Sequence, residues 1–179
     1  MVQDLHIVHY PAEVLRAKAE PIAEVTDEVR QVATRMIELM REAEGIGLAA
    51  PQVGLAWRLF VADVPPDPDA PRHPLTGTAG PIVCINPELT FPPRAGTEAM
   101  DEGCLSLPSL TGEVLRPPTV RMRALDAKGE AYEIEAGGLL ARCIQHETDH
   151  LDGVLILDKF TMRSRLKNRS AIRDLERGR

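Results

Sequence analysis

Two histidines four residues apart, with a glutamate directly after the first, are the residues in this chain best suited to chemistry. They are His146, Glu147 and His150, in the order H-E-T-D-H. On an α-helix such histidines lie on one face, so both imidazoles can reach one metal ion while the glutamate reaches a water held there. The pattern predicts a metal-dependent hydrolytic site. The alternative is a pair of surface histidines beside a solvated glutamate.

A catalytic site of this kind needs a third protein ligand and one open position. The elongated zinc-protease pattern requires a histidine six residues after His150, where the chain has Ile156. Glu176 could serve instead, but it lies among arginines near the chain end and is better explained as a solvated helix charge. The remaining histidines are isolated, as surface histidines usually are: His6, His9 and His73.

The three cysteines are the other candidate ligands. Cys143 lies one turn before His146 and Cys84 lies in an apolar stretch, so both are interpreted as buried core thiols. Cys104 follows an acidic pair and a glycine in an extended stretch, where its thiolate could reach a neighbouring helix or serve a structural role. An odd cysteine count without a secretion signal argues against disulfides and favours a reducing cytoplasm.

Composition indicates one ordinary globular domain over residues 1–179, with 44% hydrophobic and 27% charged residues. No apolar run is long enough to span a membrane, and aromatic residues, at 3%, are too few for a base-stacking module. The net charge of -6 argues against a globally basic nucleic-acid binder. This net charge is the sum of a basic tail from Thr161 onward and an acidic remainder of the chain.

Hydrophobic periodicity predicts the elements that must position these residues. Helices are predicted at 27–44, at 138–152 with Gly153 as its stop, and at about 163–177 in the basic tail. Strands are predicted at 57–62, 82–86 and 154–157, with a hairpin of 119–125 and 131–136 and a long loop at 65–81. The expected fold is α+β, with antiparallel or mixed sheets around a central metal-binding helix and with N-terminal and C-terminal helices.

Three segments resemble, in order and spacing, the signature motifs of the bacterial peptide deformylase family. They are GIGLAAPQ at 45–52, EGCLSLP at 102–108 and QHETDHLDG at 145–153. The stretch YPAEVLRAKAEP at 10–21 is similar to the family's N-terminal region, so the resemblance extends to about Asp158. The implied reaction is removal of the N-formyl group from the initiator methionine of new chains, with release of formate.

The resemblance also implies roles for individual residues. One divalent metal ion, iron(II) in the cell with zinc, nickel or cobalt able to replace it, would be held by Cys104, His146 and His150. Glu147 would act as general base and acid. The side-chain amide of Gln52 and the backbone N–H of Leu105 would donate to the formyl oxygen as it becomes an oxyanion. Ligand affinity order alone would favour zinc over iron.

The substrate is expected to lie along the glycine-rich segments, since glycines permit close approach of a peptide backbone. The predicted substrate contacts are Ile46, Gly47 and Gly103, with a methionine pocket near Leu139, Arg142 and Cys143. Two positions depart from the family pattern. Thr111 lies in a segment where many members carry a substrate-holding arginine. Arg142 replaces a frequent aliphatic residue, either as a pocket wall or as a solvent-facing stem that covers it.

Two other functions are considered beside the deformylase. A metallopeptidase that cuts internal peptide bonds lacks its downstream ligand here. A ribosome- or RNA-binding module with a structural metal would need a closed site of four protein ligands. The basic tail resembles the family's terminal helix, which implies contact with the ribosome, or else it is a solvated helix that balances the acidic body. Formyl-methionine N-termini are the expected partners, and neither a membrane nor DNA is expected.

Overall fold

A five-stranded antiparallel sheet and a separate two-stranded sheet form the β part of the fold. In the computed structural model, which describes residues 2–69 and 74–177, the larger sheet has the order β1-β2-β3-β6-β7. Its strands are β1 Gly47–Ala49, β2 Leu59–Ala62, β3 Ile82–Thr90, β6 Thr119–Leu125 and β7 Ala131–Gly137. The smaller sheet pairs β4 Glu98–Cys104 with β5 Leu107–Arg116, also antiparallel. The predicted α+β class is confirmed.

Within the described residues, five α-helices accompany the sheets: α1 Asp27–Glu42, α2 Gly138–Leu151, α3 Ile156–Lys159, α4 Met162–Lys167 and α5 Arg169–Glu176. The hydroxyl of Thr26 caps α1 by accepting from the Val29 N–H. A 3-10 turn, Ala50–Val53, follows β1 directly. None of the helices in the described ranges is both long enough and apolar enough to cross a membrane.

Two apolar clusters hold the parts that carry the candidate site. The inner face of α2 packs on the larger sheet, where Leu140 and Ile144 meet Phe60, Val120 and Met122. The β4–β5 hairpin belongs to another cluster, whose members come from the hairpin, the N-terminal region and α3: Leu15, Leu107, Leu110, Val114, Leu155, Ile156, Leu157 and Phe160. Residues 102–108 and 145–153 are therefore anchored in different parts of the core.

The strand predicted to end at Asn86 is longer than expected. β3 continues through Pro87 to Thr90, and its register with β6 shifts between Ile85 and Glu88. Proline is tolerated at such a bulge because the ladder is already interrupted. Asn86 has a positive φ of 51°, and its side-chain amide forms hydrogen bonds with both the N–H and the carbonyl of Ile22. The bulge is thereby fixed to the N-terminal region.

Other boundaries also differ from the predictions. The prediction of a strand at 154–157 is wrong. The Asp158 carboxylate accepts from the Leu155 N–H, and this hydrogen bond caps the start of helix α3. The single predicted basic helix is two, broken at Asn168, whose side chain donates to the Thr111 carbonyl. β4 and most of β5 were not predicted, and the strand predicted from Trp57 begins at Leu59. Four residues of the predicted loop, 70–73, lie outside the described residues.

Gly153 follows helix α2 and was predicted to end it. Its φ is 72°, and a Cβ there would lie 2.5 Å from the Arg16 carbonyl oxygen. Gly153→Ala is therefore expected to lower the free energy of unfolding by about 2 kcal/mol or more, from left-handed strain and collision with backbone. Urea denaturation measures this. Gly96→Ala is the matched control, since its Cβ would meet no atom within 4 Å. An equal loss in both variants would contradict the explanation.

Candidate metal centre

Helix α2 brings the two motif histidines together, as their spacing predicts. The Nε2 atoms of His146 and His150 lie 3.2 Å apart on one face of the helix. Cys104, the last residue of β4, places its Sγ 3.3 Å from the His150 Nε2. In the part of the chain that the structure describes, these three residues form the group of His, Cys, Asp and Glu side chains able to share an ion, with all ligand atoms within 4.8 Å of one another.

The geometry and chemistry of this group fit a divalent metal. Bonds of about 2.0 to 2.3 Å in a tetrahedral site separate neighbouring ligand atoms by about 3.3 to 3.6 Å, close to the spacings found here. The His146 Nδ1 lies 3.0 Å from the Glu102 carboxylate and donates to it, which leaves the Nε2 of the same ring as the atom that could bind a metal. One thiolate and two imidazoles suit zinc, iron, cobalt or nickel.

Glu147 lies on the same helix and faces the cavity described below. Its side chain is buried, and its Oε2 has no hydrogen-bond partner among residues 2–69 and 74–177. Burial raises the pKa of Glu147 to about 7, since charge is costly away from water. A carboxyl group with a pKa near neutrality can both accept and return a proton at working pH.

Glu102 organises the environment of His146 and is a residue whose role the sequence analysis missed. Its carboxylate accepts from Arg116 at 2.6 and 3.0 Å, from Arg142 at 2.8 Å and from the His146 ring. Burial alone would raise the pKa of Glu102, but hydrogen bonds from His146 and Arg116 outweigh burial and hold that pKa well below its usual range. Arg116 also donates to Asp149 on α2 at 2.8 Å.

The side-chain amide of Gln52 is held in one orientation. Its Oε1 accepts from the Ala49 N–H at 2.8 Å, which directs Nε2 toward the Ser106 hydroxyl at 3.3 Å and the Cys104 Sγ at 3.5 Å. Gln52 is fully buried. An N–H donor is thus fixed beside the candidate metal group, as an oxyanion site requires.

The N-terminal segment ties the Gln52 turn to the cysteine segment. The Val8 N–H donates to the Gln52 carbonyl at 2.8 Å, and the Tyr10 N–H donates to the Ser106 carbonyl at 3.0 Å. Ser106 was not singled out from the sequence, although it lies in the second motif. Leu105, beside Cys104 at the turn between β4 and β5, contributes to the cavity wall.

A cavity of about 550 Å³ opens beside the ligands. Glu147, Gln52 and Leu105 all line it, together with Cys104 and His146. The six residues predicted to bind substrate also line it: Ile46, Gly47, Gly103, Leu139, Arg142 and Cys143. Further apolar wall comes from Met100, Leu107 and Leu110. Two of the three candidate ligands, the carboxylate, the amide and an apolar surface therefore share one space.

The interpretation of Arg142 as a solvent-facing side chain that covers the pocket wall is wrong. Its side chain is only 8% exposed, and its guanidinium donates to the Glu102 carboxylate and to the carbonyls of Val114 and Glu98. Buried arginines of this kind are stable only when their donors are paired. Thr111, the other departure from the family pattern, pairs with Gly103 across the hairpin and lines the cavity.

The alternative ligands lie elsewhere. Glu176 is exposed on α5, and the exposed His6 contacts the Asp4 carbonyl, while His73 lies outside the described residues. Cys84 is a core thiol, as predicted: it lies 3.0 Å from the Tyr132 hydroxyl, and burial raises its pKa to about 12. Burial likewise raises the pKa of Cys143, which packs in the core and also reaches the cavity wall.

The pairing of Glu102 with Arg116 could have been expected from the sequence if residues 107–116 had been interpreted as a strand. Gly112, Val114 and Arg116 alternate on the buried face of β5. A charged residue at an inward position requires a buried partner of opposite charge, and Glu102 on the facing strand is that partner.

Comparison with known proteins places the chain in a family. The model of the polypeptide deformylase family matches residues 4–166. The peptide deformylase of Thermodesulfovibrio yellowstonii is 47% identical over 157 residues, covering 88% of this chain and 89% of the relative. That of Chromohalobacter salexigens is 49% identical over 154 residues, covering 86% and 84%.

Solved structures agree with the sequence comparisons. The crystal structure of peptide deformylase from Ehrlichia chaffeensis has a TM-score of 0.85 at 32% identity, covering 97% of this chain and 96% of that one. A peptide deformylase from Synechococcus elongatus, crystallised with actinonin, has a TM-score of 0.80 at 38% identity, covering 96% and 85%. By sequence and by structure, the chain belongs to the polypeptide deformylase family.

Proposed function

We propose that this chain is a peptide deformylase, a metal-dependent hydrolase that removes the N-formyl group from the formyl-methionine of newly synthesised proteins. One observation carries the proposal: Cys104 and His146 of the Cys/His/His group line a cavity together with buried Glu147, whose Oε2 has no hydrogen-bond partner in the described chain. Membership of the polypeptide deformylase family supports the same reaction. The whole of residues 1–179 acts as one domain in this proposal.

Cys104, His146 and His150 would hold the metal, which we propose to be iron(II) in the cell. When bound, it supplies Lewis-acid polarisation and a water of lowered pKa. The donor set also accepts zinc, nickel or cobalt. Three protein ligands would leave a fourth position for water, as a hydrolytic site needs and a structural site of four protein ligands does not.

Glu147 handles the proton in the proposed reaction. Its Oε2 accepts a proton from water as the water oxygen attacks the formyl carbon. The same oxygen then gives that proton to the amine nitrogen as the carbon–nitrogen bond breaks. The carbon leaves as formic acid, whose remaining proton passes to the amine, so formate and the methionine ammonium are released and atoms and charge balance. A pKa near 7 lets one carboxyl group serve both halves of the reaction.

Gln52 and Leu105 stabilise the charge that develops on the formyl oxygen. The Gln52 Nε2 donates from a fixed position, and the backbone N–H of Leu105 is the second donor in this proposal. Loss of one such donor typically costs about 3 to 4 kcal/mol of transition-state stabilisation. The amide of Gln52 needs no reorientation, because the Ala49 N–H already holds its oxygen.

The peptide would lie extended between the first and second motifs. Ile46 and Gly47 of the first motif and Gly103 of the second line the cavity, and we expect the peptide to pair with their backbone. The methionine side chain would enter the apolar part of the cavity, beside Leu139 and Cys143. Hydrogen bonds to backbone give affinity without demanding a particular sequence after methionine.

Formate release from formyl-Met-Ala-Ser by anaerobically purified protein tests the proposal. We expect one formate for each peptide consumed, with no cleavage inside an unblocked peptide of the same sequence. Internal cleavage would instead identify a metallopeptidase. A protein that holds one metal ion and releases no formate would overturn the assignment and favour a structural metal.

Gly47 lies where a side chain would displace the proposed base. A Cβ there would lie 2.4 Å from the Glu147 Oε1 and 2.8 Å from the Cys143 Sγ. Gly47→Ala is expected to lower kcat/KM about 100-fold, because a misplacement of about 1 Å costs that much. Formate release and circular dichroism measure activity and folding. Gly96→Ala is the control, and unchanged activity in both variants would show that Glu147 has room to move.

We further propose that the enzyme works in the cytoplasm and meets new chains at the ribosome through its basic C-terminal helices. Arg169 and Arg173 are exposed on one face of α5. Reversing both charges to Glu is expected to weaken cosedimentation with ribosomes about tenfold at low salt, with a smaller difference at high salt. Arg123→Glu, exposed on β6, is the control. Equal binding by both variants would contradict this contact.

A further inference from the structure

The proposed metal ligands come from two parts of the protein with separate apolar support. Helix α2, with His146 and His150, packs closely against β1, β2, β6 and β7 within one cluster. Cys104 belongs to the β4–β5 hairpin, whose buried side chains pack with the N-terminal region and α3. Among the described elements, the extensive backbone contacts of α2 are with the larger sheet and not with β4 or β5. Apolar packing alone therefore leaves the distance between cysteine and histidines weakly determined.

Arg142 bridges these two parts at the level of the ligands. It lies on α2 one turn before His146, and its side chain is 8% exposed. Its Nη1 donates to the Glu102 Oε1 at 2.8 Å and to the Val114 carbonyl at 3.1 Å. Its Nη2 donates to the Glu98 carbonyl at 2.9 Å. One planar guanidinium thus binds both strands of the hairpin and the residue two positions before Cys104.

The charges around Glu102 make this bridge difficult to replace. Arg116 is shared between the carboxylates of Glu102 and Asp149, and Asp149 also pairs with the half-exposed Lys159. Arg142 supplies the second positive charge and completes four hydrogen bonds to Glu102, counting the one from His146. Without Arg142, the Val114 and Glu98 carbonyls and the Glu102 carboxylate would each lose a hydrogen-bond donor. Because unpaired buried polar groups are costly, we expect the hairpin to move so that these groups find other donors.

We propose that Arg142 is a positioning residue that sets the separation of Cys104 from His146 and His150. The proposal rests on the metal-dependent function given above. It differs from a role as pocket wall in a measurable way. Loss of a wall contact raises KM, whereas distortion of the ligand group lowers kcat and loosens the metal while KM changes little.

Cobalt-loaded protein tests the proposal, because the visible spectrum of Co²⁺ reports the arrangement of its ligands independently of activity. Arg142→Met keeps a long side chain and removes every donor. We expect a shifted visible spectrum, Co²⁺ dissociation about 10- to 100-fold faster, and a lower kcat with KM within about threefold of the wild type. If Arg142→Met does not fold, Arg142→Lys, which keeps one donor group, should show the same changes at smaller size.

Arg58→Met is the matched control, since Arg58 joins the other end of α2 to the sheet through Asp152 at 2.8 Å and the Pro87 carbonyl. It should lose stability without altering the cobalt spectrum. If the Arg142 variants kept the wild-type cobalt spectrum and dissociation rate, this inference would be wrong and the proposed function would be unaffected. The same holds if Arg58→Met changed the spectrum and the rate as much as Arg142→Met does. A wild-type protein that takes up no Co²⁺ would overturn both this inference and the proposed function.

Discussion

Glu147→Gln is expected to lower kcat/KM for formyl-Met-Ala-Ser by about 10²- to 10⁴-fold, the range that general acid–base catalysis contributes. Glutamine has nearly the same shape and can neither accept nor return the proton. The variant should still bind one metal ion, because the three ligands are unchanged. Formate release, measured beside metal content, separates loss of the base from loss of the metal.

Glu176→Gln is the control for this experiment. Glu176 is exposed on α5 and is the downstream glutamate that a thermolysin-like site would use. It should keep full activity and metal. If Glu147→Gln retained activity within about threefold of the wild type, the proton would have to be carried by another group, and the proposed role of Glu147 would be abandoned.

Cys104→Ala is expected to weaken metal binding by more than about 100-fold, which exceeds the effect of losing an outer hydrogen-bond partner. Two imidazoles remain, but the thiolate is the ligand that contributes negative charge and the one that comes from the hairpin. Activity should fall with metal content. Because a bound metal stabilises only the folded state, a chelator should lower the melting temperature of the wild type and leave that of the variant unchanged.

Cys84→Ala provides a second cysteine change at a site without metal. The Cys84 thiol is buried beside the Tyr132 hydroxyl and does not line the cavity. This variant should retain its metal and its response to chelator, even if it is less stable. Equal metal loss in both cysteine variants would point to general damage to the fold, and retention of metal by Cys104→Ala would remove Cys104 from the ligand set.

Local patterns predicted the parts of the site that depend on local geometry. The spacing of His146 and His150 follows from the helical repeat, and Gly153 ends that helix through a conformation that glycine adopts easily. The residues around Cys104 left a metal-binding and a structural role equally open, and the resemblance to a known family favoured the first. The approach of Cys104 depends on a hairpin that pairs Glu98 with Arg116, and no local pattern sets where that hairpin packs.

Arg142 shows most clearly what the sequence alone could not establish. Its position on α2 was predicted, yet two interpretations of its side chain were equally reasonable. The deciding facts are the two carbonyls and the carboxylate that β4 and β5 bring over it. These contacts join residues 28 to 44 positions apart. Helical periodicity carries no information about a partner that arrives from so far along the chain.

The contacts of the N-terminal segment affect the order in which the chain folds during synthesis. Val8 and Tyr10 dock on Gln52 and Ser106, while the Cys104 thiol reaches a histidine 46 residues further on. Closing such long loops is slow and is rewarded only when many contacts form together. During synthesis the chain must therefore extend past Ser106 before its first residues can make both contacts, and past His150 before the ligand group can form. A shorter chain lacks part of the proposed ligand group, so we expect metal loading to follow synthesis of the segment that contains His150.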